Sequence, residues 1–263
     1  MIEISGLEVT FHAGTASENR ALTGIDLSID EGSSVTVIGS NGAGKSTLLN
    51  ALAGNVAATA GRITVDGRDV TRLPVHQRSA ICARVFQDPL AGTCGPLTIE
   101  ENLALADDRG QARTLAPALG AARRARYRAL LAPLGLGLES RLSDRMELLS
   151  GGQRQAVSLL MATMQPSRIL LLDEMTAALD PHMASFVMDL TRRTVDERRL
   201  TTLMVTHSMA QALSFGERTL MMHRGQIILD VRGEERAGLT VDDLVSLFSK
   251  ARGGKLDQDS LLL

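Results

Sequence analysis

A short apolar segment, Val35-Thr36-Val37-Ile38, runs straight into Gly39-Ser40-Asn41-Gly42-Ala43-Gly44-Lys45-Ser46-Thr47. Leu48, Leu49 and Leu52 then recur at helical spacing up to Gly54, a natural C-cap. Gly39 to Ser46 satisfies every fixed position of the phosphate-loop pattern G-x-x-x-x-G-K-[ST], in the strand–loop–helix setting that pattern needs. A chain that builds this loop must supply a buried strand before it and a helix after it, which points to an α/β layer fold. The glycines let backbone N–H groups crowd round phosphate oxygens with no Cβ in the way. The helix starting near Lys45 turns its positive dipole end toward them. Lys45 is expected to reach the β- and γ-phosphates, and the Ser46 hydroxyl to ligate Mg2+. The bland alternative is a glycine-rich strand-to-helix turn.

The rest of the chain keeps the α/β rhythm. The opening Met1-Ile2-Glu3-Ile4, acidic this early and alternating, suits a strand and not a signal peptide. Ile25, Leu27 and Ile29 alternate with Asp26, Ser28 and Asp30, the period of a half-buried strand. A second strand spans 62–66, with Asp66-Gly67 as its turn. From about 89 to 165 the pattern turns helical, with helices expected over 97–106 and 121–131. This stretch reads as an insertion in one domain, 1–249, not as a second domain. A buried strand follows at 168–172, a helix from Pro181 to about Arg193, and a strand at 202–206. A hairpin closes the pattern, 219–223 and 226–231 joined at Arg224-Gly225. The mixed Gly, Ser and charged tail, 250–263, reads as mobile.

Two further motifs carry chemistry. Ile169-Leu170-Leu171-Leu172-Asp173-Glu174 is an apolar strand ending in two acids, at the edge where an α/β sheet places ligands. Asp173 is expected to hold Mg2+, directly or through water, and Glu174 to polarise an attacking water as general base; alone, such a strand could equally end in solvated carboxylates. In Leu149-Ser150-Gly151-Gly152-Gln153, Ser150 and Gln153 form a capping box ahead of an amphipathic helix. Two glycines are poor first-turn residues, each costing up to about 1 kcal/mol relative to alanine. They make sense where something must approach the backbone closely, and a bare helix start with a serine hydroxyl is an anion site. The segment therefore reads as a second binder of the γ-phosphate.

Phosphate loop, LSGGQ and acid-ended strand, in this order and spacing, resemble the ATPase subunit of ATP-binding cassette (ABC) transporters. The resemblance covers residues 2–231. It implies a P-loop NTPase core of RecA-like α/β fold, with an N-terminal antiparallel β subdomain and an α-helical insertion. ATP and Mg2+ are the implied cofactors. Further site residues follow from it: Gln87, in Phe86-Gln87-Asp88-Pro89, matches the glutamine loop, which contacts Mg2+ or the water. His207, in Val205-Thr206-His207, matches the switch histidine. Asp180, in Ala178-Leu179-Asp180, matches the aspartate loop that communicates across a dimer. Phe11 is the aromatic implied to stack on adenine. Each has a plainer alternative; Asp180 before Pro181, for instance, is also a helix N-cap. Met175 stands where many members have proline, a position that does no chemistry.

Composition narrows the function further. Lys plus Arg total 28 against 30 Asp plus Glu, a formal charge of −2, which gives no electrostatic footprint for nucleic acid. Trp is absent and aromatics are 2%, too few for base-stacking platforms. Cys82 and Cys94 have neither metal-ligand nor disulfide-framework spacing, so a reducing cytosolic setting is the default. No apolar run approaches the roughly 20 residues that span a bilayer. The expected arrangement is therefore a peripheral protein on the cytoplasmic face of the cell membrane. Its implied partners are a second copy of itself in an ATP sandwich, separate transmembrane permease chains and an extracytoplasmic substrate-binding protein. Stretches around the loop, around Asp173 to Pro181 and around His207 resemble a bacterial group labelled tryptophan/tyrosine or amino-acid importers. An exporter ATPase and a non-transport cassette ATPase are the competing readings; the latter usually carries coiled-coil insertions, zinc cysteines or two cassettes. Arg123, Arg124, Arg126 and Arg128 read as a solvated face, with lipid headgroups or a membrane partner as the alternative.

Overall fold

The early alternation of apolar and polar residues is realised as two long strands. The computed structural model describes residues 1–111 and 117–251. Along them run β1 (Ile2–Phe11), β2 (Asn19–Ile29), β3 (Ser34–Gly39), α1 (Lys45–Ala53), β4 (Ala60–Val65), β5 (Arg68–Asp69), α2 (Val75–Arg78) and β6 (Cys82–Val85). Then come α3 (Ile99–Asp107), α4 (Ala121–Leu131), α5 (Gly151–Met164), β7 (Ile169–Asp173), α6 (Pro181–Arg198), β8 (Thr202–Val205), α7 (Met209–Ser214), β9 (Arg218–His223), β10 (Gln226–Arg232), α8 (Gly233–Ala237) and α9 (Val241–Ala251). The chain divides into two units, Met1–Arg78 with the residues from Arg198 onward, and Ser79–Glu197.

The first unit holds an antiparallel sheet in the order β2-β1-β4-β5. Ile2 faces Ile29 on one side and Val65 on the other, and this register puts Ile2, Ile4, Ile29 and Ile63 into the core. The same unit holds β10-β9-β3-β8, where β3 runs parallel to both β9 and β8 and β9–β10 is the expected hairpin. Val35, Val37 and Ile38 of β3 are buried, as befits a strand covered on both faces. Ile38 and Met221 pack with Met209 and Ala212 of α7 and with Leu244 and Phe248 of α9. That last helix lies partly in the expected tail: α9 takes in 250 and 251, and 252–263 fall outside the described residues.

In the second unit β6 and β7 pair in parallel, Val85 opposite Leu172. Between them α3, α4 and α5 pack around Ile99, Leu103, Tyr127, Leu131, Met146 and Val157. Thr98 and Glu101 close a capping box at the start of α3. The arginine-rich helix α4 spends its charge locally. Arg123 bonds Asp108, Arg124 bonds Glu100, and Arg126 bonds Asp107 through both carboxylate oxygens at 2.8 and 2.9 Å. Helix α6 runs five residues beyond the expected end and stops at Arg199, which takes a left-handed φ of 49° where a glycine is usual. The fold is mixed α/β, with an antiparallel sheet and a parallel-rich one.

Candidate functional site

In the first unit the sequence from β3 into α1 builds a closed loop. Gly39 and Gly44 have φ of 151° and 100°. A Cβ on Gly39 would stand 2.2 Å from the Met222 carbonyl oxygen, and one on Gly44 2.6 Å from that of Ala21. Only glycine fits either place, so the loop lies flat against neighbouring backbone. Ala43 N–H donates to the Ser40 carbonyl, and the Ala43 carbonyl accepts from Gly225 N–H. Lys45 is 5% exposed, and its ammonium donates to the carbonyls of Gly39 and Ser40 at 2.7 and 3.1 Å. A cation held this far from water over a loop of backbone groups is a ready partner for a polyanion. Ser46 is exposed and Thr47 half-buried at the start of α1, while Asn41 and Gly42 form the exposed tip of the loop.

His207 is brought to the same sheet edge. Val37 of β3 faces Val205 of β8, so Gly39 and His207 each lie two residues past a paired position. The corner is fixed by hydrogen bonds: Thr206 N–H donates to the Val37 carbonyl, and Ser208 N–H to the Thr206 hydroxyl. Phe11 is half-buried at the end of β1, opposite Asn19.

The second unit brings together Gln87, Asp173 and Glu174. Both Gln87 and Glu174 lie two residues past the paired Val85 and Leu172, at one edge. Gln87 is exposed, Asp173 is buried and Glu174 half-buried. Glu174 holds φ of 42°, a left-handed conformation that costs a non-glycine residue of order 1 kcal/mol or more and concentrates at functional sites. Asp173 is ion-paired with Arg84 of β6 at 2.5 Å. Arg84 belongs to none of the sequence motifs; its one signal there is a lone charge in a four-residue strand that otherwise reads Cys, Ala and Val.

The Ser150 segment forms its capping box as expected. The Ser150 hydroxyl accepts from Gln153 N–H, and the Gln153 side chain accepts from Ser150 N–H. The two glycines differ. A Cβ on Gly152 would come within 2.8 Å of the Cβ of Met183 on α6, so the group approaching this backbone belongs to the same unit. A Cβ on exposed Gly151 would meet only Leu179, at an ordinary 3.5 Å. Asp180 caps α6, its carboxylate accepting from Met183 N–H at 3.0 Å. Gln155 of α5 donates to the carbonyl of Phe86, next to Gln87.

Comparison with known proteins gives these features a context. The family model described as ABC transporter matches residues 22–177. A tyrosine transport ATP-binding protein of Clostridioides difficile is 40% identical over 256 residues, 95% of this chain and 100% of that protein. A thiamine import ATP-binding protein of Vibrio vulnificus is 35% identical over 206 residues, 78% of this chain and 83% of that protein. Among solved structures, a dimeric post-hydrolysis state of the ATP-binding cassette MJ0796 bound to ADP and Pi is similar at TM-score 0.75 and 28% identity. The match covers 88% of this chain and 98% of that one.

Proposed function

The chain belongs to the ABC transporter family and is an ATP-binding ATPase, and from that membership we propose that it is the energy-coupling subunit of a bacterial importer for an amino acid or similar small solute. The full-length likeness to a tyrosine transport ATP-binding protein carries this reading. Among the described residues no helix is long and apolar enough to cross a membrane. The reading therefore assigns the crossing to separate permease chains, with an extracytoplasmic binding protein delivering the solute. The subunit itself sits at the cytoplasmic face as one half of a dimer, within the single-domain organisation read over 1–249.

Within the ATPase the backbone of Gly39 to Thr47 and the buried Lys45 ammonium hold the phosphates, and Phe11 supports the adenine. Ser46 in the first unit offers a hydroxyl, and Asp173 and Gln87 in the second a carboxylate and an amide, hard oxygen donors of the kind Mg2+ takes when phosphates fill its other positions. Mg2+ bound with the nucleotide would neutralise charge on the phosphates. Glu174 accepts the proton of the attacking water, and its left-handed φ supports that role because the surrounding structure maintains a costly backbone there. His207 and Gln87 orient groups at the reacting end. Ser150, Gly151, Gly152 and Gln153 face the γ-phosphate of the partner subunit's nucleotide, and Asp180 lies at the same contact.

Two experiments test the reading. Glu174→Gln keeps the shape and removes the acceptor charge; it should retain ATP binding and lose steady-state hydrolysis by about 100-fold or more. Turnover near wild type would remove Glu174 from the role of base. For transport, permease chains that co-purify with this subunit would be reconstituted in liposomes with the binding protein. ATP-dependent uptake of tyrosine or a related amino acid is expected, and ATP-dependent efflux would refute import.

A further inference from the structure

Arg84 has no part in the roles assigned so far, yet it is bonded to the carboxylate assigned to the metal. In the parallel register of β6 and β7 it faces Leu171. Side chains two residues apart on a strand share a face, so Asp173 presents its carboxylate on the same side as Leu171. There Arg84 Nη2 donates to Asp173 Oδ2 at 2.5 Å, with the two side chains 11% and 12% exposed. Phe86, the residue just past the end of β6, places its ring centroid 4.6 Å from the guanidinium carbon. The Phe86 backbone is in turn held by the Gln155 side chain of α5 at 3.1 Å. The guanidinium is thus seated by an aromatic face on one side and a carboxylate on the other. With water largely excluded, this charge-assisted bond is strong. A cation bound at this carboxylate would draw on the same negative charge.

We propose that Arg84 is a positioning residue that competes with Mg2+ for Asp173: it neutralises the carboxylate in the metal-free protein and yields Oδ2 when the metal arrives with the nucleotide. The inference rests on the reading of Asp173 as a metal-holding residue. It has a definite sign. Removing a group that merely orients a metal ligand weakens metal binding, and so does general damage to the fold. Removing a competitor strengthens it.

The test measures ATP affinity of the purified full chain by calorimetry, once with Mg2+ and once with EDTA, in the Glu174→Gln background so that nucleotide is not consumed. The ratio of the two affinities isolates the metal's contribution, and damage common to both arms cancels. Arg84→Met should raise that ratio about ten- to a hundredfold, the worth of one charge-assisted hydrogen bond. Arg84→Gln serves as a second removal with the same expected direction should the methionine variant fail to fold. Arg84→Lys keeps the cation and should return the ratio toward the parent value. Asp173→Asn should abolish the Mg2+ gain. A ratio unchanged or lowered on losing Arg84, with the Asp173→Asn effect intact, overturns the competition and leaves Asp173 as ligand. An Asp173→Asn variant that keeps the full Mg2+ gain overturns the metal reading and the competition together.

Discussion

Replacing Gly151 and Gly152 by alanine one at a time separates what the fold requires from what a ligand requires at the start of α5. At Gly152 the new methyl would stand 2.5 Å from Cε, 2.9 Å from Cγ and 2.8 Å from Cβ of Met183. The flexible Cε can swing away, but the Cβ is fixed to α6 and yields only if a helix shifts. Overpacking of this kind costs about 1–3 kcal/mol, against a helix-propensity gain of at most about 1 kcal/mol, so Gly152→Ala should lose up to about 3 kcal/mol net and gain nothing. At Gly151 the only neighbour is Leu179 at 3.5 Å, and φ is not in the left-handed region. Gly151→Ala should therefore leave the nucleotide-free protein as stable as wild type or up to about 1 kcal/mol more stable. Urea unfolding midpoints measure both. ATP-dependent dimerisation, followed by size-exclusion in the Glu174→Gln background, then gives the second readout. If a phosphate must approach the bare backbone at Gly151, the stable Gly151→Ala variant should dimerise poorly. Equal destabilisation by both alanines would refute the packing argument. A Gly151→Ala protein that dimerises at wild-type ATP concentrations would refute the ligand argument.

The other expectations are simpler. Lys45→Ala removes the buried ammonium over the loop and should lower ATP affinity about tenfold or more; an unchanged nucleotide titration would mean the loop is not the phosphate site. Mixing Lys45→Ala with Ser150→Arg chains tests the shared site, since random pairing leaves roughly a quarter of sites intact if they are shared between subunits and none if they are not. No recovery of activity or ATP-dependent dimer, despite proven subunit exchange, removes the shared-site model's support. Tyr127, the single tyrosine, is fully buried, and burial together with the negative charge of Asp107 pushes its phenol up to about 12. The folded state then holds a proton that the unfolded chain releases near 10, so stability should fall as pH rises between those values. Phenolate absorbance should appear in urea before it appears in the native protein, and coincident titrations would refute the burial argument.

Elements set by local periodicity were legible in the sequence. Helix α4 has the expected bounds, 121–131, because its apolar spacing and Gly120 mark both face and start. The phosphate loop was legible for a stronger reason: Gly39 and Gly44 are required by contacts that no other residue permits, so the motif carries its own geometry. Asp173 and Glu174 could be placed at a strand end because the run of apolar residues before them is too short for a helix and too long for a turn. What stayed hidden depends on pairs of residues far apart in the chain. Arg199 ends α6 with a left-handed arginine, against the glycine rule, so the helix end could not be read from residue type. The register that sets Arg84 across from Leu171 is a property of two strands separated by the whole helical stretch.

The same limit explains why the Ser150 segment could be recognised but not fully apportioned from sequence. Read alone, its two glycines share one explanation, close approach to backbone. In the fold, the approach at Gly152 is made by Met183, a residue that follows Asp180 and whose N–H that aspartate caps. Asp180 thereby fixes the first turn of α6, the turn that comes against α5. Ser150 likewise has a complete local role in its capping box. Three of the positions that the ABC motif singles out are thus accounted for by helix starts and their packing, without reference to a ligand. Gly151 is different: it is exposed, has room for a methyl, adopts no conformation reserved for glycine, and forgoes the helix propensity that alanine would bring. A residue that the fold does not require, at a site where the fold would gain from changing it, is the position in this segment where function has the strongest claim.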